Sequence, residues 1–467
     1  MVQSPLASQL PSITSNPGSG NREHILAALL LLGTVALDLT SAGIGREWIP
    51  TAVHCRSVGL KTMKKTPCLQ DANRVVVALS LARFADALGT SLLFVLLPIY
   101  IAASPPPDLP WTETYLIGVV LSLYGLVNAV LQPFVGIFID RIRSRKPIII
   151  SGLLLLSLGT AALIFSRSYT DVVVIHSLQG IGVALTVPAS LTLISSSTVR
   201  ESRGRSMGFY STLRLMGFAI GPLMGGSLQL RFGFKIAFFV GAGTILLAAL
   251  LVQLWVQEPP PRERPLSKHP AALLDPEVWD RGIISLGIAL FMMACSYSLM
   301  NTLENEFNSR LQQTVLGFGI ATSALTVSRM IFQTPLGYLS DRIGRKPVII
   351  TGLVLMAPVT LLMGLVTSPM QLIITRALQG ATSAAIASPA LALAGDLSGE
   401  DDHGRQISVV TTGFFLGIAV GPLIAGTFSQ IAFALPFGLA AGLLLMGALI
   451  VFRFVPAGNR PVRLPGI

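Results

Sequence analysis

Past residue 75 the chain is written in long apolar runs separated by short polar stretches. Crossing a bilayer takes a helix of about 20 mostly apolar residues. Twelve runs reach that length, near 75–102, 115–138, 147–166, 171–198, 207–230 and 234–256, then near 282–306, 315–339, 347–367, 371–396, 406–430 and 433–455. The pattern predicts an all-α membrane protein of twelve transmembrane helices. A further apolar stretch, residues 25–44, stands apart upstream.

The polar stretches carry a second pattern, because alternate ones are basic. One set holds Arg141, Arg143, Arg145 and Lys146, then Arg200, Arg203 and Arg205, then Arg262, Arg264, Lys268 and Arg281. Arg342, Arg345, Lys346, Arg453, Arg460 and Arg463 continue that set, whereas the opposite stretches hold only Arg167, Arg231, Lys235 and Arg310. Lysine and arginine accumulate in cytoplasmic loops. Both ends of the twelve-helix core are therefore expected in the cytoplasm, at a plasma membrane. Residues 257–280 are rich in proline and charge, and proline interrupts helices. They read as a cytoplasmic linker between a first six-helix half, 74–256, and a second, 281–456, followed by a cytoplasmic tail, 457–467.

Residues 1–73 are expected to be an appendage outside this core. The run 25–44 leads into a basic connection, so a span there would put the N-terminus outside. A nearly uncharged start and the lack of an A-x-A-like site fit a signal peptide poorly. Translation from Met63 is an alternative, since MKKTPCLQDANR reads as a short lead into the first core helix.

Composition narrows the chemistry. Hydrophobic residues make up 52% of the chain and charged ones 12%, against about 25% charged in soluble domains. The formal net charge of +11 is dispersed over loops, as suits an anionic leaflet rather than nucleic acid. Cys55, Cys68 and Cys295 have no metal-ligand spacing, so neither a metal site, a cofactor nor a disulfide framework is expected. Walker A and HExxH motifs are missing, and so is a nucleophile–base constellation. The chain does not read as an enzyme.

Several phrases occur twice at one long period. Gln179 and Gln379 are 200 residues apart, as are Gly204-Arg205 and Gly404-Arg405, and Gly221-Pro222 and Gly421-Pro422. Before the third helix the offset is 201, matching Gln132 to Gln333, Gly136 to Gly337 and Asp140 to Asp341. One extra residue, in RIRSRKP against RIGRKP, accounts for the change. A period this long, shared by several motifs, means a duplicated six-helix unit.

The repeated phrases resemble those of the major facilitator superfamily. Gly337-Tyr-Leu-Ser-Asp341-Arg342-Ile-Gly344-Arg345-Lys346 is similar to the family's GxxxDRxGRK loop, degraded to GIFIDRIRSRK in the first half. His176-Ser-Leu-Gln179-Gly180 resembles its RxxQG motif, and Gly217-x-x-x-Gly221-Pro222-x-x-Gly225-Gly226 its GxxxGPxxGG motif. The resemblance, over residues 74 to 456, implies alternating access by two rocking halves. It further implies a cytoplasmic gate of Gly136, Asp140, Arg141 and Arg145 with Gly337, Asp341, Arg342 and Arg345; a plain topology signal is the competing explanation. For Gly217, Gly221, Pro222 and Gly225 it implies a bend that helps seal the halves, against ordinary small-residue helix packing. Similarity to twelve-helix drug/proton antiporters suggests proton-linked efflux of a small amphipathic compound by a monomer in the lipid bilayer. A facilitator, a sugar or metabolite permease, and a transport-dead sensor are the alternatives.

Charge inside a span is costly and points to function. The candidates for proton coupling or substrate binding are Arg83, Asp86, His176, Arg214, Glu304, Arg329 and Arg376. Arg83 and Asp86, one turn apart, are either a self-neutralised pair or a proton or substrate site, with Arg214 as a possible partner for Asp86. Glu304 and Glu306 lie near a helix end where solvent exposure is expected. His176 replaces the family's arginine and can titrate, or it can be a neutral histidine hydrogen-bonded between helices. The cavity itself is expected to be apolar, lined by Phe, Met and Tyr with few charges.

Overall fold

The computed structural model describes residues 69–103, 110–142, 144–198, 200–258, 280–397 and 403–456. The apolar stretch 25–44, Met63, residues 259–279 of the linker and the tail 457–467 lie outside the described residues. Every regular element among those described is a helix. The spans are α1 (Leu69–Ala103), α2 (Glu113–Arg141), α3 (Lys146–Ala162), α4 (Tyr169–Ser197), and α5 and α6 within one run, Arg200–Trp255, divided at Gly233. They continue as α7 (Arg281–Thr302), α8 (Val315–Ile343), α9 (Arg345–Met363), α10 (Pro369–Leu397), α11 (His403–Phe428) and α12 (Leu435–Phe454). A short elbow helix, Glu304–Arg310, follows α7. Gly233 divides α5 from α6 with φ 78°, a left-handed value that a side chain would strain.

Each set of six helices repeats the packing of the other. α1 lies along α5, and a Cβ on Gly217 or Gly221 would stand 2.6 Å from the carbonyl oxygen of Phe84 or Leu88. Ser91 Oγ closes the contact by donating to the Gly217 carbonyl at 3.2 Å. α7 lies along α11 in the same way: a Cβ on Gly417 would meet the Phe291 carbonyl at 2.3 Å, and Ser298 Oγ donates to the Gly417 carbonyl at 3.2 Å. These glycines exist so that two backbones can touch. Leucine, isoleucine and alanine from α1, α3, α4 and α6 then fill the first core, and those of α7, α9, α10 and α12 the second.

The basic residues after α2 and α8 also act inside their own sets. Lys146 Nζ donates to the carbonyls of Gln253 and Val256 at 2.7 and 2.9 Å, at the end of α6. Lys346 Nζ does the same for Phe452 and Val455 at 2.9 and 2.6 Å, at the end of α12. A cation there satisfies orphan carbonyls and opposes the negative end of the helix dipole. Lys346→Met is expected to cost about 1 kcal/mol, read as a small drop in the melting temperature of the purified protein, with Lys346→Arg recovering most of it.

Among the described residues, the two halves meet closely at the end away from the basic loops. Near the α2–α11 and α5–α8 crossings away from the basic loops, a Cβ on Gly118 would lie 2.6 Å from the Pro422 carbonyl. One on Gly319 would lie 2.7 Å from the Pro222 carbonyl. Gly226 abuts Leu316, and Gly426 abuts Thr114 and Tyr115. Asn305 Nδ2, on the elbow, donates to Glu113 Oε1 at 2.8 Å and to the Pro98 carbonyl at 3.3 Å, and Thr114 Oγ1 donates to Glu306 Oε1 at 3.1 Å. Toward the basic end, Gly136, Gly208 and Gly337 have no such neighbour within 4 Å. Among the described residues, the close contacts between the halves thus lie at the end away from the basic loops.

Candidate functional site

A cavity of about 1220 Å³, counting the space at its mouth, occupies the gap between the halves. Its wall comes from α1, α2, α4 and α5 on one side and α7, α8 and α11 on the other. Apolar surface is supplied by Phe94 and Phe218, stacked with centroids 5.7 Å apart, and by Phe414 and Phe415, edge to face at 5.5 Å. The expectation of a cavity with few charges is corrected here. Arg83, Asp86, Arg214 and Arg329 all line it, together with His176, Tyr124, Tyr297, Asn128 and Asn301.

Arg83 and Asp86 sit one turn apart on α1 and form a buried ion pair through Arg83 Nη1 and Asp86 Oδ2. Thr90 Oγ1, a turn further on, donates to Asp86 Oδ1 at 3.3 Å. The i,i+3 spacing places both groups on one helix face, so the pair forms within α1. Arg214 is not its partner, contrary to the sequence expectation. Its guanidinium lies over the Phe218 ring at 5.3 Å, and neither it nor Arg329 has a hydrogen-bond or carboxylate partner among the described residues.

The duplicated LQG phrase on α4 and α10 builds a brace in each half, to α3 in the first and to α7 in the second. Gln379 Nε2 donates to the Ser296 carbonyl at 3.1 Å and to Ser296 Oγ at 3.2 Å, and Ser296 Oγ lies 2.6 Å from Thr360 Oγ1. Its Oε1 accepts from Arg376 Nη1 at 2.7 Å. On α4, Gln179 Nε2 donates to Thr160 Oγ1 at 2.9 Å and to the Leu156 carbonyl at 3.5 Å. A carbonyl needs a donor, which fixes the amide so that Gln179 Oε1 faces His176 Nδ1 at 2.8 Å. His176 therefore donates from Nδ1, and its ring stacks on Tyr124 with centroids 4.6 Å apart. Arg376 lies buried behind Tyr297, 6.0 Å from the ring centroid. The glycine of each phrase admits a neighbour: a Cβ on Gly180 would be 2.8 Å from the Tyr124 carbonyl, and one on Gly380 2.1 Å from the Leu325 carbonyl.

Glu304 corrects another expectation. It is fully buried rather than exposed, and neither carboxylate oxygen makes a hydrogen bond of standard geometry. Asn308, one turn on, is the polar side chain turned toward it. The elbow continues after a one-residue break at Leu303 and packs against α1 and α8, which covers a position that hydropathy alone leaves at a helix end. Burying a carboxyl without a partner is costly. Glu304→Gln is expected to raise stability by about 1–3 kcal/mol, seen as a higher melting temperature at neutral pH.

The gate residues are separate from the cavity. Arg345 bridges Asp341, at 3.3 Å, and Asp396 on α10, while Arg342 stacks on Tyr338 at 4.3 Å. Arg145 Nη1 reaches Ser196 Oγ at 3.5 Å. The side chains of Asp140 and Arg141 lie outside the described residues. Each contact named stays within one half. Gly344 between Ile343 and Arg345 has φ 101°, a value only glycine takes without strain, which explains the glycine of the RIGRK phrase. The motif Gly217, Gly221, Pro222, Gly225 divides its labour. Gly217, Gly221 and Gly225 pack on α1, and the Pro222 carbonyl faces α8 in the other half.

Sequence reasoning missed Tyr124, Tyr297, Asn128 and Asn301, neutral residues that leave no mark on a charge or hydropathy pattern. It also missed Thr160, although Thr160 and Thr360 share the 200-residue offset of the two glutamines.

The family model described as Major Facilitator Superfamily matches residues 79–307 and 283–466. The multidrug resistance protein MdtG of Escherichia coli O1:K1 / APEC is 24% identical over 420 residues, which cover 86% of this chain and 99% of MdtG. Two solved structures share the fold. A bacterial homolog of the human lysosomal transporter Spinster, in an inward-facing and unoccupied conformation, aligns with a TM-score of 0.64 and 16% identity over 83% of this chain and 96% of its own. The human organic anion transporter MFSD10 (TETRAN) aligns with a TM-score of 0.62 and 20% identity over 83% of this chain and 100% of its own.

Proposed function

Because this chain belongs to the Major Facilitator Superfamily, and so is a multi-pass membrane transporter and not an enzyme, we propose that it exports a small amphipathic compound in exchange for protons by alternating access. With the basic loops in the cytoplasm, the present state is inward-open. The compound enters from the cytoplasm, the halves rock, and the glycine-lined seal on the far side parts to release it. The relative MdtG is a multidrug resistance protein, which favours export over uptake.

Proton coupling rests on Asp86, the carboxylate of the cavity wall among the described residues. Paired with Arg83 it is an anion. Protonation from the far side breaks the pair and alters the charge that the next substrate meets. His176 serves as a positioning residue, because its donated Nδ1 proton and the stack on Tyr124 hold the α2 wall in place. His176→Ala is expected to keep transport driven by the pH gradient while raising the apparent KM several-fold; loss of the drive would move the proton to His176. The test of the whole reading is a compound screen in everted vesicles carrying a pH gradient. Collapse of the gradient on adding one compound supports antiport, and silence across every chemical class overturns it.

A further inference from the structure

The cavity wall holds three arginines against one aspartate. The ion pair with Asp86 neutralises Arg83 and leaves Arg214 and Arg329 as a surplus of two positive charges. These two come from opposite halves, Arg214 from α5 and Arg329 from α8, and both line the same cavity. No described acidic side chain answers either of them, and their Nε atoms are buried without a hydrogen bond. His176 offers no negative charge, and Arg376 behind Tyr297 adds a further cation to the same region.

Uncompensated guanidinium groups at membrane depth are costly, and such groups are retained where they meet a partner or line a pathway. Among the described residues no such partner is present. Guanidinium is a planar fork of donors matched to carboxylate, sulfonate and phosphate oxygens. Beside the two arginines lie the Phe94–Phe218 stack and the Phe414–Phe415 pair, an apolar wall against which a hydrocarbon or aromatic body can rest. We infer that the substrate is an amphipathic organic anion, its anionic head bridging Arg214 and Arg329 across the halves and its apolar body lying on the phenylalanines. The inference rests on the cavity being the transport site. It adds a mechanical point: a head group shared by both halves screens the repulsion between the two cations, so occupancy favours drawing the halves together on the open side.

The experiment uses the purified full chain and three fluorescent probes of one body and different charge: dansylglycine (an anion), its methyl ester (neutral) and dansylcadaverine (a cation), with inorganic phosphate as a head without a body. Binding is read by fluorescence and by thermal shift, independently of flux. Dansylglycine is expected to bind about 10–100-fold more tightly than either analogue, with phosphate giving no shift at equal concentration. Arg214→Gln and Arg329→Gln are each expected to erase that preference. Both should melt no lower than the wild type without probe, since each removes a buried charge that has no partner. Arg214→Lys and Arg329→Lys are expected to retain a reduced preference for the anion.

Equal binding of the ester, or anion affinity unchanged in both glutamine variants, overturns the inference. In proteoliposomes, export of dansylcadaverine under a pH gradient without anion binding would leave the transport reading standing and remove the anion. Anion binding as expected with no flux of any probe would uphold the anion site and remove the transport reading.

Discussion

Asp86→Asn is expected to abolish export driven by a pH gradient while leaving exchange of labelled substrate across the membrane intact. Exchange requires only that the loaded cavity alternate between sides, whereas net export requires the return step to carry a proton. The asparagine keeps the size of the side chain and its reach to Thr90 Oγ1, but it cannot hold or release a proton. It also strips Arg83 of its counter-charge within a buried pair. Leaving one member of such a pair alone costs about 3–5 kcal/mol, so the single variant should melt well below the wild type. Arg83→Gln combined with Asp86→Asn should recover stability without recovering the drive. A single variant that retains both full drive and normal stability would remove Asp86 from the mechanism.

Gly380→Ala is expected to be among the most damaging single-methyl changes in the molecule. The added Cβ would stand 2.1 Å from the Leu325 carbonyl oxygen, 2.9 Å from its carbon and 3.1 Å from the Arg329 nitrogen, all backbone atoms of α8. Backbone cannot rotate aside as a side-chain tip can. Relief requires α8 to move away from α10 and to carry Arg329 with it. Overpacking typically costs about 1–3 kcal/mol, and contact with rigid backbone puts this site at or above the upper end. Gly337→Ala is the control on the same helix pair's open side. Nothing lies within 4 Å of its new methyl, and replacing a helical glycine gains up to about 1 kcal/mol in propensity. Melting temperature and yield should separate the two variants clearly; equal behaviour would refute the close α8–α10 contact.

Much of the architecture was legible because its cause lies along the chain. Span length follows from bilayer thickness, so the runs near 147–166 and 433–455 became α3 and α12 with only small shifts of boundary. The duplicated Gln179 and Gln379 were readable as a repeat, and each braces a neighbouring helix, though not the equivalent one: Gln179 reaches α3 and Gln379 reaches α7. The partners of buried charges were not readable, because they depend on how each helix is rotated. Asp86 and Arg83 could be paired from spacing alone, but whether Arg214 faced them or the gap depended on the α1–α5 contact that Gly217 and Gly221 set. Glu304 was misread for a related reason. Glu304 opens the elbow helix after a one-residue break at Leu303, and the packing of that elbow against α1 and α8 is not announced by any periodicity.

The charged cavity shows the same limit. Arg214 and Arg329 stand out in the sequence as charges inside spans, but the sequence does not say which way α5 and α8 turn them. Only assembly of the helices reveals that the two converge. Small residues at contacts were the more faithful signal, since glycine spacing reports where another backbone must pass.

Gly233 gives the two halves different mechanical character. α5 runs into α6 through this one residue, whereas α11 reaches α12 through residues 429–434. A side chain at Gly233 would strain the one-residue joint between α5, which forms the seal with α8, and α6, whose Phe239, Leu247 and Leu254 point outward. α11 can tilt with its connection taking up the change. The α5–α6 joint therefore tolerates neither a side chain nor much change of length, whereas the α11–α12 connection has six residues over which a difference in tilt can be spread.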